Sequence, residues 1–292
     1  MCTFATKCVN LRQIPTDWLL AGFATGESGT MPYEFGATGV AGSRLEINQG
    51  GSMMSRDSQE RSSSFEVASV AIGVRFGPRW VVVDRLGDVL DKVLRSGPFS
   101  SKFFPNAAVE GSTRLLMNPK TRDSLSLNER DCILQVDVGS RDTSKIRVLA
   151  ENFDRFILDP MKAAGLDEIA RFGLMIRLAE CSQQLSTKPA DVYLASEEGT
   201  PRSLDLLFTR RLQSPLARAK RDVNDYRNLI YAVKQTEGEV HFGIDYQEYF
   251  DPPLDRKSAD QKPIASFVDD GLNYFLTSFH RWLERFTSRQ AA

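Results

Sequence analysis

Few residues in this chain are suited to acid–base chemistry. Histidine occurs twice, at His241 and His280, so a general acid–base or triad mechanism must use one of these or rely on carboxylates. In Val240-His241-Phe242-Gly243-Ile244-Asp245, strand alternation sends His241 and Asp245 to one face and Val240, Phe242 and Ile244 to the other. Such a pair could polarise a water, although it more often forms a surface or interface contact. His280, beside Phe279, reads as a helix-surface or packing histidine. Asp245, Glu248, Asp251 and Asp255 recur closely enough to offer oxygen ligands to magnesium if the segment folds back. Solvated loop carboxylates are the commoner outcome.

The densest positive region is Arg210, Arg211, Arg218, Lys220, Arg221 and Arg227, with Tyr226 inside it and Asp222 and Asp225 opposing it. Guanidinium groups at this density can contact phosphates. On a helix, Arg218, Arg221 and Asp225 fall on similar faces, so intrahelical ion pairs compete with that use and a solvated basic face is the plainer reading. A second pair, Arg171 and Arg177, projects to the face opposite Phe172, Leu174 and Ile176 if the segment is a strand.

Several signatures that would name a chemistry are missing from the sequence. There is no G-x-x-x-x-G-K-[ST] phosphate loop, no H-E-x-x-H helix, no G-x-S-x-G elbow and no G-x-G-x-x-G after a strand. The glycine-rich stretch Gly36-Ala37-Thr38-Gly39-Val40-Ala41-Gly42 lacks a preceding apolar strand and a following amphipathic helix, so it does not read as a phosphate cradle. Cys2, Cys8, Cys132 and Cys181 form no C-x-x-C pair, and the last two sit in apolar runs as small buried hydrophobes. No metal, cofactor or catalytic residue is assigned on these grounds.

The elements that must position these residues follow from composition and periodicity. With 292 residues, 41% hydrophobic and 26% charged, the chain can bury a core without disulfides or metals to hold it. Lys plus Arg (37) and Asp plus Glu (38) nearly cancel, which removes the whole-molecule field of a dedicated nucleic-acid or anionic-membrane binder. No run approaches the ~18–20 apolar residues of a bilayer span, and no signal-peptide pattern opens the chain, so a cytoplasmic protein with no membrane partner is expected.

Residues 1–64 are rich in Gly, Ser and Thr and read as a flexible arm. From Phe65 the pattern becomes strand to Gly77-Pro78, then a helix over 79–95 that Gly97-Pro98 ends. Short strands follow around 114–117, 125–127 and 132–138, then a helix over 145–164 disturbed near Pro160. The second half repeats this theme, with strands at 171–178, 203–211, 229–233 and 240–246 and a closing helix carrying Ile264, Phe267, Val268, Leu272, Phe275, Phe279, Leu283 and Phe286. Ser214-Pro215 opens a helix toward Tyr226, and helical spacing through Val233 leaves open whether that helix continues or gives way to a strand. The expected fold is α+β, with two related halves, 65–165 and 166–292, each an antiparallel sheet packed with long helices.

The segment Arg171-Phe172-Gly173-Leu174-Met175-Ile176-Arg177, with its late Ile244-Asp245 strand and Phe-rich closing helix, resembles a sporadically distributed bacterial family of uncharacterised proteins. That family shows Arg-x-Gly-Leu-Arg-Tyr-x-Asn. Arg171, Gly173 and Leu174 match it, while Met175, Ile176 and Leu178 stand where it has Arg, Tyr and Asn. The resemblance spans about residues 65–287 and implies a bacterial or phage-borne cytoplasmic protein, without supplying catalytic residues.

The resulting expectation is a non-enzymatic interaction or accessory protein that engages a protein partner, with Arg171, Arg177, Arg210, Arg211, Arg218, Arg221 and Arg227 as binding candidates. A nucleic-acid or nucleotide-binding module built on 210–227 is the alternative. A metal-dependent enzyme using Asp245, Glu248 and His241 is the third reading.

Overall fold

β1 (Ser62–Phe76) is buried without a break from Val70 to Val74, and β6 (Glu168–Leu178) from Arg171 to Ile176. Continuous burial of this kind marks strands covered on both faces and flanked on both edges. β1 pairs antiparallel with β5 (Asp131–Asp142) on one side and with β6 on the other. The computed structural model describes residues 62–77, 85–95, 97–194, 203–214, 223–236, 239–256 and 264–287.

β2 (Asn106–Glu110), β3 (Thr113–Met117) and β4 (Ser124–Leu127) form a meander leading into β5. β7 (Leu204–Gln213), β8 (Tyr226–Thr236) and β9 (Glu239–Asp255) form a second meander, which returns to β6. Among the described residues there is one sheet of nine strands, in the order β2-β3-β4-β5-β1-β6-β9-β8-β7, and every adjacent pair is antiparallel.

This corrects the expectation of two halves with a sheet each. The near-continuous apolar runs of β1 and β6 would be wasted at the edges of separate sheets, and pairing them to each other buries both. Among the described residues the long unbroken helices expected are also not found. α1 is Leu86–Arg95, α2 is Ser144–Phe153 and α3 is Asp159–Ala163, with a π turn at Asp154–Leu158 between α2 and α3. α4 is Pro189–Tyr193, and the closing segment is α5 (Ile264–Tyr274), a π turn (Phe275–Phe279) and α6 (His280–Thr287). Each π turn inserts a residue and breaks the helical ladder into short pieces. Pro160 sits at the start of α3, where its missing N–H is harmless.

The helices bury their apolar stripes on one sheet face. Phe267 of α5 packs against Phe172 and Tyr246, while Phe279, Trp282 and Phe286 pack against Tyr231 and Phe242. Asp154, in the first π turn, accepts the backbone N–H of Ala265 at 3.1 Å and so ties that turn to the start of α5. The ambiguous stretch ending at Val233 is strand from Tyr226 onward, because β8 pairs along its whole length with β9 and along most of it with β7. Cross-strand pairing there overrides the helical spacing. The arm 1–64, apart from its last residues in β1, and the helix expected from Pro215 lie outside the described residues, as do Arg218 and Arg221.

Candidate functional site

Strand alternation sorts the candidate arginines onto opposite faces. On β6, Phe172, Leu174 and Ile176 turn toward the helices, whereas Arg171, Gly173, Met175 and Arg177 turn to the other face. On β9, Asp245, Gln247 and Tyr249 share that second face, and on β8 so does Tyr226. The register sets Arg171 opposite Tyr249 and Tyr249 opposite Tyr226.

The result is a row of π and cationic groups across four strands. The Arg171 guanidinium lies 5.4 Å from the Tyr249 ring centroid. Tyr249 and Tyr226 stack with centroids 4.6 Å apart and an interplanar angle of 9°. Arg211 of β7 covers the outer face of Tyr226 at 3.7 Å. Each cation–π contact contributes about 0.5–2 kcal/mol, more where it is desolvated, and the stacked pair adds about 1 kcal/mol. Arg171 is only 2% exposed, while Arg211 is exposed and the two tyrosines are partly so.

A chain of hydrogen bonds runs from the same arginine along β9. Arg171 Nη1 donates to Tyr249 Oη at 3.1 Å, and Tyr249 Oη donates to Gln247 Oε1 at 2.6 Å. Gln247 Nε2 donates in turn to Asp245 Oδ2. Asp245 is buried, and burial pushes its carboxyl up to about 6 against the opposing pull of Gln247 and Arg171. The native state therefore holds a proton that the unfolded chain has lost between the ordinary value of 3.8 and about pH 6. Stability from this group is fully present below that window and is lost as pH rises through it. Asp245→Asn is expected to leave stability near pH 4 almost unchanged and to raise it by about 3 kcal/mol at pH 7. Urea unfolding of both proteins across that range checks it, and a pH-independent difference would count against a buried, proton-holding Asp245.

Arg177 is half-buried opposite Gly243, where no side chain competes for the space. Its Nη2 is buried without a hydrogen-bond acceptor, and burial lowers its pKa.

The basic region 210–227 is not one surface among the described residues. Arg210 lines a cavity of about 280 Å³ on the helix side with Phe208, Tyr231, Trp282 and Arg285, while Arg211 faces the other way. Arg227 turns into the helix layer and is 4% exposed. Its Nη2 donates to Asp270 Oδ2 at 2.8 Å and to Glu248 Oε2 at 3.3 Å, and Ser214 Oγ donates to Glu248 Oε1 at 2.6 Å. An arginine neutralised in this way is not available to a phosphate.

The acidic series is also divided. Asp245 and Glu248 lie on opposite faces, the second bound to Arg227, and Asp255 pairs in register with Glu168 at the far end of β9. His241 contacts Glu239 at 3.4 Å and stands four residues from Asp245 on an extended strand, about 13 Å away. The structure does not bring that pair together. Among the described residues no group of three or more His, Cys, Asp or Glu side chains is placed to hold a metal ion, and no helix is long and apolar enough to cross a membrane.

Tyr249 and Gln247 escaped the sequence reading although the alternation that placed His241 and Asp245 on one face extends directly to both. Tyr226 was hidden because helical spacing carried it into the expected helix. No protein-family model matches the chain, and no curated protein matches it.

Proposed function

We infer that this is a non-enzymatic interaction protein that docks a protein partner on the sheet face bearing the arginine–tyrosine row. The observation that carries this reading is the row itself, Arg171-Tyr249-Tyr226-Arg211, rooted in buried groups at one end and open at the other. Tyrosine and arginine held rigid by their neighbours lose little entropy on binding, and these residue types dominate interface hot spots. The likeness to a bacterial family, resting on Arg171, Gly173 and Leu174, is consistent with an accessory role in a bacterial or phage cytoplasmic system.

The same geometry weighs against single-stranded nucleic acid. Both faces of Tyr226 are covered, by Tyr249 and by Arg211, so a base could stack only by displacing a group already there. Arg227 is held by carboxylates, and Arg210 and Arg211 point to opposite faces.

Tyr226→Ala is expected to weaken a stoichiometric protein partner by tenfold or more while lowering the unfolding midpoint by only about 4–8 °C, so that the variant stays folded for the titration. The check is to purify the tagged chain from its native host, identify the bound protein by mass spectrometry, and titrate that protein against both forms. A partner that binds Tyr226→Ala equally well would remove the row from the interface. Nucleic acid released by salt, with no protein bound, would overturn the reading in favour of its alternative.

A further inference from the structure

β7 is the outermost strand at one end of the sheet, and among the described residues no strand pairs with its free edge. It is ten residues long, against five for β2 at the opposite end. Edge strands are commonly protected by shortness, proline, bulges or inward-pointing charge. β7 has no proline, and its register with β8 is unbroken from Leu204 to Gln213. Five consecutive residues, Leu207-Phe208-Thr209-Arg210-Arg211, are exposed, with Leu207 at 59% and Phe208 at 36%. Such a strand has the properties of a template waiting for another.

The sequence of β7 is complementary to itself when reversed. In a two-fold antiparallel pairing the axis is normal to the sheet, so residues placed opposite one another must lie on the same face. Centring the axis on Phe208 sets Asp205 opposite Arg211, Leu204 opposite Leu212, Leu206 opposite Arg210 and Leu207 opposite Thr209. Both Asp205–Arg211 pairs then lie on the face of the arginine–tyrosine row, where Lys234 stands across β8 from Asp205. The two Phe208 rings meet on the helix side, beside the aromatic cavity lined by Tyr231 and Trp282. The neighbouring centres on Leu207 and Thr209 lose the Asp205–Arg211 match, the first setting Asp205 against Thr209 and the second setting Arg211 against Leu207.

We propose that the chain forms a two-fold dimer by pairing β7 with β7 of a second copy in the register centred on Phe208. The sheet becomes continuous across the two subunits, and the two arginine–tyrosine rows come to lie on one face. This goes beyond the docking of a protein partner and does not depend on it.

The test uses the full chain in sedimentation equilibrium. The native protein is expected to give a two-chain mass at micromolar concentration. Asp205→Arg sets two arginines opposite each other twice per dimer, and Arg211→Asp sets two aspartates so; each is expected to weaken self-association at least tenfold. Mixing the two variants in equal amounts sets the arginine introduced in one chain against the aspartate introduced in the other, and keeps one native Asp205–Arg211 pair across the axis. The mixture is expected to restore the two-chain mass as a mixed dimer. Phe208→Cys, in a chain with Cys2 and Cys8 changed to Ser, keeps every charge and should cross-link on mild oxidation, since directly opposed residues have the Cα separation a disulfide needs. A monomer at all concentrations overturns the proposal. So does a dimer that persists in both single variants, or a mixture that fails to associate while Phe208→Cys also fails to cross-link.

Discussion

Arg227→Ala is expected to lower the free energy of unfolding by about 3–5 kcal/mol at pH 7, the range seen when one partner of a buried ion pair is removed. The loss arises mainly from what the substitution leaves behind. Glu248 has no exposure to solvent, and without the guanidinium its charge keeps Ser214 as a close donor on Oε1. Asp270, 39% exposed, can turn to water and contributes less. Burial disfavours the charge on Arg227, whereas Glu248, Tyr246 and Asp270 favour it, and the balance raises its pKa. Arg227→Met combined with Glu248→Leu is expected to lie within about 1 kcal/mol of the native protein, because both desolvation penalties disappear together. Urea unfolding at pH 7 on the single and double variants checks this, and a single-variant loss under 1 kcal/mol would show that the pair is not sealed from water.

How far the sequence could be read differs between the sheet and its cross-strand contacts. The strands at 171–178 and 240–246 were visible from alternation and apolar content and appear within β6 and β9 with longer bounds, whereas 229–233 stood open between strand and helix until its pairing within β8 decided it. Pairing between β1 and β6 was not visible, since Val70-Ala71-Ile72-Gly73-Val74 carries no mark of which neighbour will cover it. The exposed edge of β7 was hidden in the same way. The arginine–tyrosine row needs three registers at once, Arg171 with Tyr249, Tyr249 with Tyr226, and β7 with β8, and each is a tertiary fact. A one-residue slip in β8 would send Tyr226 to the helix side and bring Arg227 out.

The seal on that helix side depends on one small residue, and Gly271→Val is expected to cost about 3–5 kcal/mol. A Cβ at position 271 would stand 2.6 Å from Leu174 Cδ2 and 2.8 Å from Tyr246 Cδ1, closer than carbon atoms approach. Gly271 lies on the face of α5 that crosses β6 and β9, so its missing side chain sets how near that helix comes to the sheet. The Leu174 methyl could rotate away, but Tyr246 is wholly buried and stacked on Phe267, and its ring has nowhere to go. Lifting α5 instead would draw Asp270 from Arg227 and loosen the ion pairs beneath it. Replacing glycine in a helix ordinarily gains up to ~1 kcal/mol, so Gly271→Ala sets helix propensity against overlap and should still lose about 1–2 kcal/mol. The added methyls of valine have no such offset. Denaturant unfolding on both variants measures the difference, and the discriminating observation is coupling. If α5 is displaced as a body, Gly271→Val and Arg227→Ala combined should cost clearly less than the sum of their separate losses, because the first has already weakened what the second removes. Additive losses would instead mean that Leu174 and Tyr246 repack locally and the helix stays in place.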